Sequence, residues 1–215
     1  MNKKPTGKMG SLRMEAGPDG SSLSFEAIDF PKGKEEIEEY VLTQFKTKIE
    51  ERGGKITFTK KNNENSFDFT VGTPNGDIFL ELTEFVRLIP KASPYSANGT
   101  QVINIYEDAF RLFSTIKSKM TRYSSNSQTP IHLLVYVTHW AFVIDKITLT
   151  IVAHWIQKEL PHPFEAVFLY IPLSQKDGDL IQLFPSKKID GFDPEKYRDT
   201  ELIIPDPANA ILIQE

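Results

Sequence analysis

Apolar residues recur every three or four positions in three parts of the chain, and this period predicts amphipathic helices. The three parts run from Lys34 to Arg52, from Gln101 to Tyr123 and from Lys146 to Leu160. Asp145 is well placed to be the N-cap of the third helix, because its carboxylate can accept hydrogen bonds from the first free amides. Pro161 is expected to end that helix.

Alternating or continuous apolar runs predict strands elsewhere, at 55–61, 66–71, 77–87, 131–137, 164–171 and 180–184. Only turns separate the first three, so we expect them to be antiparallel neighbours. The run at 131–137 is almost entirely apolar, which is typical of a strand buried on both faces. The order of helix, three strands, helix, strand, helix and strand predicts a three-layer α/β/α domain with a mixed central sheet.

The length of 215 residues is enough for one domain with a sizeable core. Residues 1–24 are rich in Gly, Pro, Lys and Ser, and we expect them to be a flexible N-terminal tail. Residues 25–185 are expected to form the single α/β domain. Residues 186–215 hold several prolines and acids, and the pattern assigns them no structure beyond a C-terminal extension.

Composition narrows the classes of function. The chain has no cysteine, which excludes disulfides, thiolate metal sites and a cysteine nucleophile. No apolar run reaches the roughly 18 residues of a membrane span, and no apolar segment follows the basic N-terminus, so we expect a cytoplasmic protein without a membrane partner. The formal net charge of -4 argues against binding nucleic acid through overall charge alone.

A predicted hairpin brings two acids together. Thr73-Pro74-Asn75-Gly76 is a turn sequence, and a loop at Pro74-Asn75 pairs Asp68 with Glu81 across the two strands. Directly opposed residues point to the same face, with Cβ atoms about 4.5–5.5 Å apart. The same register predicts an apolar core face in which three residues of the first strand oppose three of the second: Phe67, Phe69 and Val71 against Leu82, Leu80 and Ile78.

Two interpretations of the acid pair stay open. Neighbouring carboxylates repel each other, and a divalent cation such as Mg²⁺, which prefers oxygen ligands, would relieve the repulsion. Such an ion could activate a water molecule and stabilise charge on a phosphodiester. In the alternative, the acids simply lie on the solvated face of an antiparallel sheet.

The order of elements, with Asp68 in FDFTV and Glu81 in IFLELTE, resembles the core of the PD-(D/E)XK nuclease superfamily. The resemblance covers about residues 35–137, roughly half of the chain. It implies a restriction endonuclease-like core (αβββαβ), here followed by a C-terminal αβ extension. It also implies that Asp68 and Glu81 hold Mg²⁺ or Mn²⁺, with Glu38 of the first helix as a further metal ligand.

One position departs from the family pattern. Thr83 stands where members usually carry the lysine that orients or activates the attacking water. Some members have another polar residue there, or take the lysine from a different element, so Thr83, Lys117 and Lys119 are all candidate catalytic residues. The alternative for both lysines is a solvated face of the second helix.

Two functions follow from these patterns. The first is a metal-dependent phosphodiester hydrolase, with DNA a better candidate substrate than RNA and a homodimer as a candidate assembly. The second is a nuclease-like fold that has lost catalysis and binds nucleic acid or another protein. A lysine ammonium within about 5 Å of the acid pair in the folded chain would favour the enzyme.

Overall fold

The computed structural model describes residues 8–17, 20–63, 66–86, 99–123, 127–142, 144–187 and 190–204. In chain order the elements are β1 (Gly10–Gly17), β2 (Gly20–Ala27), α1 (Lys34–Glu51), β3 (Phe58–Lys61), β4 (Phe69–Thr73), β5 (Gly76–Glu84), β6 (Gln101–Asn104), α2 (Ile105–Arg122), β7 (Ile131–Tyr136), α3 (Lys146–Lys158), β8 (Phe164–Pro172), β9 (Gly178–Phe184) and β10 (Glu201–Ile204). Short 3-10 helices cover Trp140–Phe142 and Pro194–Tyr197. Arg87, the predicted end of the third strand, lies outside the described residues, as do residues 1–7 and 205–215.

The central sheet has six strands in the order β3-β4-β5-β7-β8-β9. Strand β7 is parallel to both β5 and β8, and the other neighbours are antiparallel. Parallel neighbours need a crossover connection, and the chain supplies α2 before β7 and α3 before β8. The predicted mixed α/β sheet is therefore confirmed.

Helices cover both faces of this sheet. Because successive side chains of a strand point to opposite faces, Leu133 and Leu134 of the buried strand β7 belong to different cores. One core joins the sheet to α2 and α3, with Leu112 and Ile151 fully buried in it. The other joins the sheet to α1, where Val41 is 1% exposed. The result is the predicted arrangement of three layers.

The N-terminal segment differs from the predicted flexible tail. Strands β1 and β2 pair antiparallel, from Gly10 opposite Ala27 to Gly17 opposite Gly20. The two residues just before β1 contact the rest of the domain. Met9 is 1% exposed within the core, and the carbonyl of Lys8 accepts a hydrogen bond of 2.7 Å from the amide of Trp140. Two prolines and four glycines in this region suggested disorder, but burial of Met9 outweighs that local preference.

The second helix begins four residues later than its apolar stripe predicts. Asn104 is its N-cap and accepts a hydrogen bond from the amide of Glu107. Residues 101–104 instead form β6, which pairs with β10 of the unassigned C-terminal segment. The carbonyl of Thr200 also accepts a hydrogen bond of 2.9 Å from the amide of Ile105. A partner distant in sequence therefore decides where this helix starts.

The third helix follows its prediction closely. The carboxylate of Asp145 accepts hydrogen bonds from the amides of Ile147 and Thr148, as expected of an N-cap. In the part of the chain that the structure describes, no helix is both long enough and apolar enough to cross a bilayer.

Candidate functional site

The β4–β5 hairpin has the predicted register, from Thr73 opposite Gly76 to Phe69 opposite Leu80. The strand pairing ends there, one residue short of Asp68. Instead of continuing the ladder, the Asp68 carboxylate accepts a hydrogen bond of 2.7 Å from the amide of Leu82. Asp68 is therefore held against β5 beside Glu81, although the two acids are not a ladder pair.

The bend at Asp68 makes one sequence prediction wrong. Phe67 was expected on the same apolar face as Phe69, but its ring stacks on Phe79, with ring centroids 4.7 Å apart, and contacts Tyr123 at 4.6 Å. Phe79 packs with the α2 core, whereas Phe69 packs with the α1 core. The chain thus changes face at Asp68, and an aromatic group of Phe67, Phe79 and Tyr123 lies on the Glu81 side.

Glu81 lies under the last turn of α2 and is only 3% exposed. The ammonium of Lys119 is 2.6 Å from Glu81 Oε1, and a guanidinium nitrogen of Arg122 is 3.9 Å from the same oxygen. The alternative of a solvated acid is therefore wrong for Glu81. The Lys119 ammonium lies well within 5 Å of Glu81, because α2 covers this face of the sheet.

The two candidate lysines lie in different places. Consecutive helical residues turn by about 100°, so Lys117 and Lys119 point in nearly opposite directions around α2. The ammonium of Lys117 is 2.7 Å from Glu159 and lies over the ring of Phe113, away from the acids. Thr83 is half-buried on β5, two residues beyond Glu81 and on the same face. Lys119 is thus the candidate that the fold brings to Glu81.

Glu38 of α1 is the third acid near the pair. It is 7% exposed, and one of its carboxylate oxygens is 3.3 Å from the ammonium of Lys34. Burial raises the pKa of Asp68 above its ordinary value, and the negative charges of Glu81 and Glu38 add to this effect. The Leu82 amide and the charge of Lys119 oppose it without cancelling it. The negative charge at Asp68 is thus only partly compensated.

The donor set fits a cation held by few protein ligands. The described ranges contain no group of three or more His, Asp or Glu side chains that could share one metal ion. Mg²⁺ is commonly bound by one or two carboxylates, with water and substrate phosphate completing its coordination. Asp68 and Glu81 supply two carboxylates that lie side by side. Glu81 is buried, and burial together with the neighbouring negative charges raises the pKa of Asp68, so a cation bound there would relieve the excess of negative charge.

The acids open into a polar cleft of about 420 Å³ between α1, the end of β3 and the last turn of α2. Its lining contains cations that the sequence analysis did not select, namely Lys34, Lys61 and Arg122. Arg122 follows Lys119 by three positions on a helix, and this spacing is a signal that could have identified it. Lys34 precedes Glu38 by four positions on α1, so the same kind of spacing could have identified it. Lys61 comes from β3, and no local pattern connects it to the acids.

Tyr123 is a further neighbour of Glu81. Burial raises the pKa of its hydroxyl far above the ordinary value, and the Glu81 carboxylate raises it further. The hydroxyl is buried and interacts with the Glu81 carboxylate, although the pair does not meet the geometry of a hydrogen bond. The guanidinium of Arg122 lies 5.5 Å from the centre of its ring. The phenol is thus a protonated, buried donor beside the acid.

Comparison of the chain with known protein families, with characterised proteins and with solved structures finds no match. The fold and the site define a mixed α/β protein. At the wall of a polar cleft, the buried Glu81 lies beside Asp68 and contacts Lys119.

Proposed function

We propose that this protein is a metal-dependent phosphodiester hydrolase of the PD-(D/E)XK type, with DNA as its preferred substrate. The observation that carries the proposal is the placement of the Lys119 ammonium 2.6 Å from Glu81, next to Asp68. The topology supports it as well. Leaving aside β6, which pairs with β10 outside the central sheet, the elements α1, β3–β5, α2 and β7 follow the αβββαβ order that the resemblance implies, with β7 parallel to β5.

Each residue has a defined part in the proposed reaction. Asp68 and Glu81 would hold Mg²⁺ or Mn²⁺, and the bound ion would lower the pKa of water and offset charge on the phosphodiester. Lys119 takes the role of the lysine that Thr83 replaces, and orients the attacking water or a phosphate oxygen through its N–H groups. Arg122, at the wall of the same cleft, is placed to bind a non-bridging phosphate oxygen.

The chemical change is a simple hydrolysis. The water oxygen forms a bond to phosphorus and loses a proton, the bond between phosphorus and the leaving oxygen breaks, and that oxygen takes up a proton. Glu38 lies close enough to act on the charge of Asp68, and we propose it as the further acid of the site, held by Lys34.

The experiment is cleavage of supercoiled plasmid, single-stranded DNA and RNA with Mg²⁺ or Mn²⁺. We compare the wild type with Asp68→Asn, Glu81→Gln and Lys119→Met. Each substitution removes a charge that the reaction needs, so we expect at least about a hundredfold loss of rate. Asp77→Asn is the matched control, because Asp77 is an exposed acid on the same strand and lies outside the cleft.

The proposal is supported if cutting requires the metal, falls in the three site variants and survives in Asp77→Asn. Cutting that survives in Asp68→Asn and Glu81→Gln would show that a contaminant or another site is responsible. Preference for RNA over both DNA substrates would keep the enzyme but correct its substrate.

A catalytically inactive binding module is the second candidate. It is favoured by the direct ion pair, because Lys119 neutralises Glu81 as a purely structural partner would. A folded wild type that cuts nothing and takes up no divalent ion, but binds nucleic acid or a protein, would establish this second function.

A further inference from the structure

We infer that Lys119 is an internal counter-ion that competes with the divalent cation for Glu81, so that cation binding and release of the lysine are a single exchange. The inference deepens the proposed function and rests on it. The ion pair then has a regulatory role. Lys119 sets the affinity of the site for its metal, and its ammonium becomes available to the substrate only after the metal has bound.

The first step of the argument is the burial of Glu81. A carboxylate that is 3% exposed cannot rely on water for its charge, so a cation must balance it. Lys119 is that cation, in direct contact at 2.6 Å, whereas Arg122 is more distant at 3.9 Å and far more exposed. Among the described residues, Lys119 is therefore the dominant cation at Glu81.

The second step is the asymmetry between the two acids. Asp68 has the amide of Leu82 as its donor, and within the described ranges it forms no salt bridge. A divalent ion bound by both acids would share the Glu81 carboxylate with the Lys119 ammonium. An ammonium and a doubly charged ion on one carboxylate repel each other strongly at such short distances. Binding of the ion therefore favours departure of the ammonium from Oε1 of Glu81.

The third step is that Lys119 has somewhere to go. Its side chain is 20% exposed, and it lines the same polar cleft as Asp68 and Arg122. Four rotatable bonds let the ammonium leave Glu81 without any movement of α2. Once released, it points its donors into the cleft, where a phosphate of the substrate would lie. Metal uptake thereby prepares the site for an anion.

The test measures binding of Mn²⁺ alone to the full chain, by calorimetry and by the electron paramagnetic resonance signal of free Mn²⁺. Lys119→Met removes the competitor, and we expect it to bind Mn²⁺ at least about tenfold more tightly than the wild type. Lys119→Gln is a second variant in case Lys119→Met folds poorly, since its amide can still bond to Glu81. Lys119→Arg keeps the charge and should stay near the wild-type affinity.

Two controls locate the effect. Lys117→Met removes an equal charge from the same helix, but its ammonium contacts Glu159, so the Mn²⁺ affinity should not change. Adding Glu81→Gln to Lys119→Met should abolish the gain, because the contested carboxylate is then absent.

The outcomes separate the two proposals. One result would overturn the exchange and leave the proposed function intact. In it, the two neutral Lys119 variants bind Mn²⁺ no more tightly than the wild type, and this binding still depends on Asp68. Absence of Mn²⁺ binding by the wild type and by every Lys119 variant would overturn both. A gain of similar size in Lys117→Met would show only a general change of charge, and would also overturn the exchange.

Discussion

The ammonium of Lys119, in the last turn of α2, lies 2.6 Å from the carboxylate of Glu81, in the middle of β5. The contact joins a helix to the sheet through a carboxylate that is 3% exposed. It is therefore both a structural tie and the centre of the candidate site, and the two roles can be measured separately.

We expect Lys119→Met to lower the free energy of unfolding by about 3 kcal/mol, because it leaves a buried carboxylate without its main partner. Urea unfolding without divalent ions measures this. Lys119→Met combined with Glu81→Gln should recover most of the loss, since no buried charge then remains. Lys117→Met, which breaks an exposed pair, should cost less than about 1 kcal/mol. Equal losses from the two lysines would contradict the buried contact.

We expect His132 to make stability depend on pH. Burial lowers the pKa of its imidazole from 6.5 to about 4 in the folded chain. As the pH falls below 6.5, the unfolded chain therefore takes up the proton first. The free energy of unfolding should fall between about pH 6.5 and pH 4, by up to roughly 3 kcal/mol.

The measurement is urea unfolding at several pH values in the wild type and in His132→Asn. His162 also has a pKa lowered by burial, and it remains in both proteins, so the difference between the two pH curves isolates His132. Parallel curves would show that His132 keeps an ordinary pKa.

We expect Asp145→Ala to destabilise the protein by about 1 kcal/mol, because the amides of Ile147 and Thr148 lose their acceptor at the start of α3. Asp145→Ser keeps an acceptor and should cost at most about half as much. Thermal unfolding of the two variants checks the cap, and equal losses would argue against it.

We expect the C-terminal strand β10 to contribute to stability through one of its two faces. Leu202 is partly buried against the core that includes α2, whereas Ile203 is 65% exposed. Leu202→Ala should therefore cost about 1–2 kcal/mol and Ile203→Ala less than about 0.5 kcal/mol. Denaturant unfolding of this matched pair tests whether the segment docks as described. A negligible effect of Leu202→Ala would mean that it does not.

Local patterns predicted most of the regular elements of the central sheet. Helix α1, the N-cap at Asp145 and the register of the β4–β5 turn depend on neighbours in sequence, so they could be recognised from spacing alone. The start of α2 could not, because residues 101–104 pair with β10, far away in the chain. The hairpin of β1 and β2 was missed for a similar reason, since Met9 is held by burial in a distant core.

For the candidate site, the sequence by itself determined the hairpin register as far as Phe69 opposite Leu80, because a two-residue turn and a period of two leave one register. That register directs Asp68 toward Glu81, but the Leu82 amide, and not a ladder pair, holds it there. The sequence could not determine which lysine reaches the two acids, that Phe67 changes face, or that Glu81 is buried. Those features depend on how α2 packs across the sheet and on where the strand pairing ends. Packing between distant segments decides these features, because a helix has several faces and only one of them packs on the sheet.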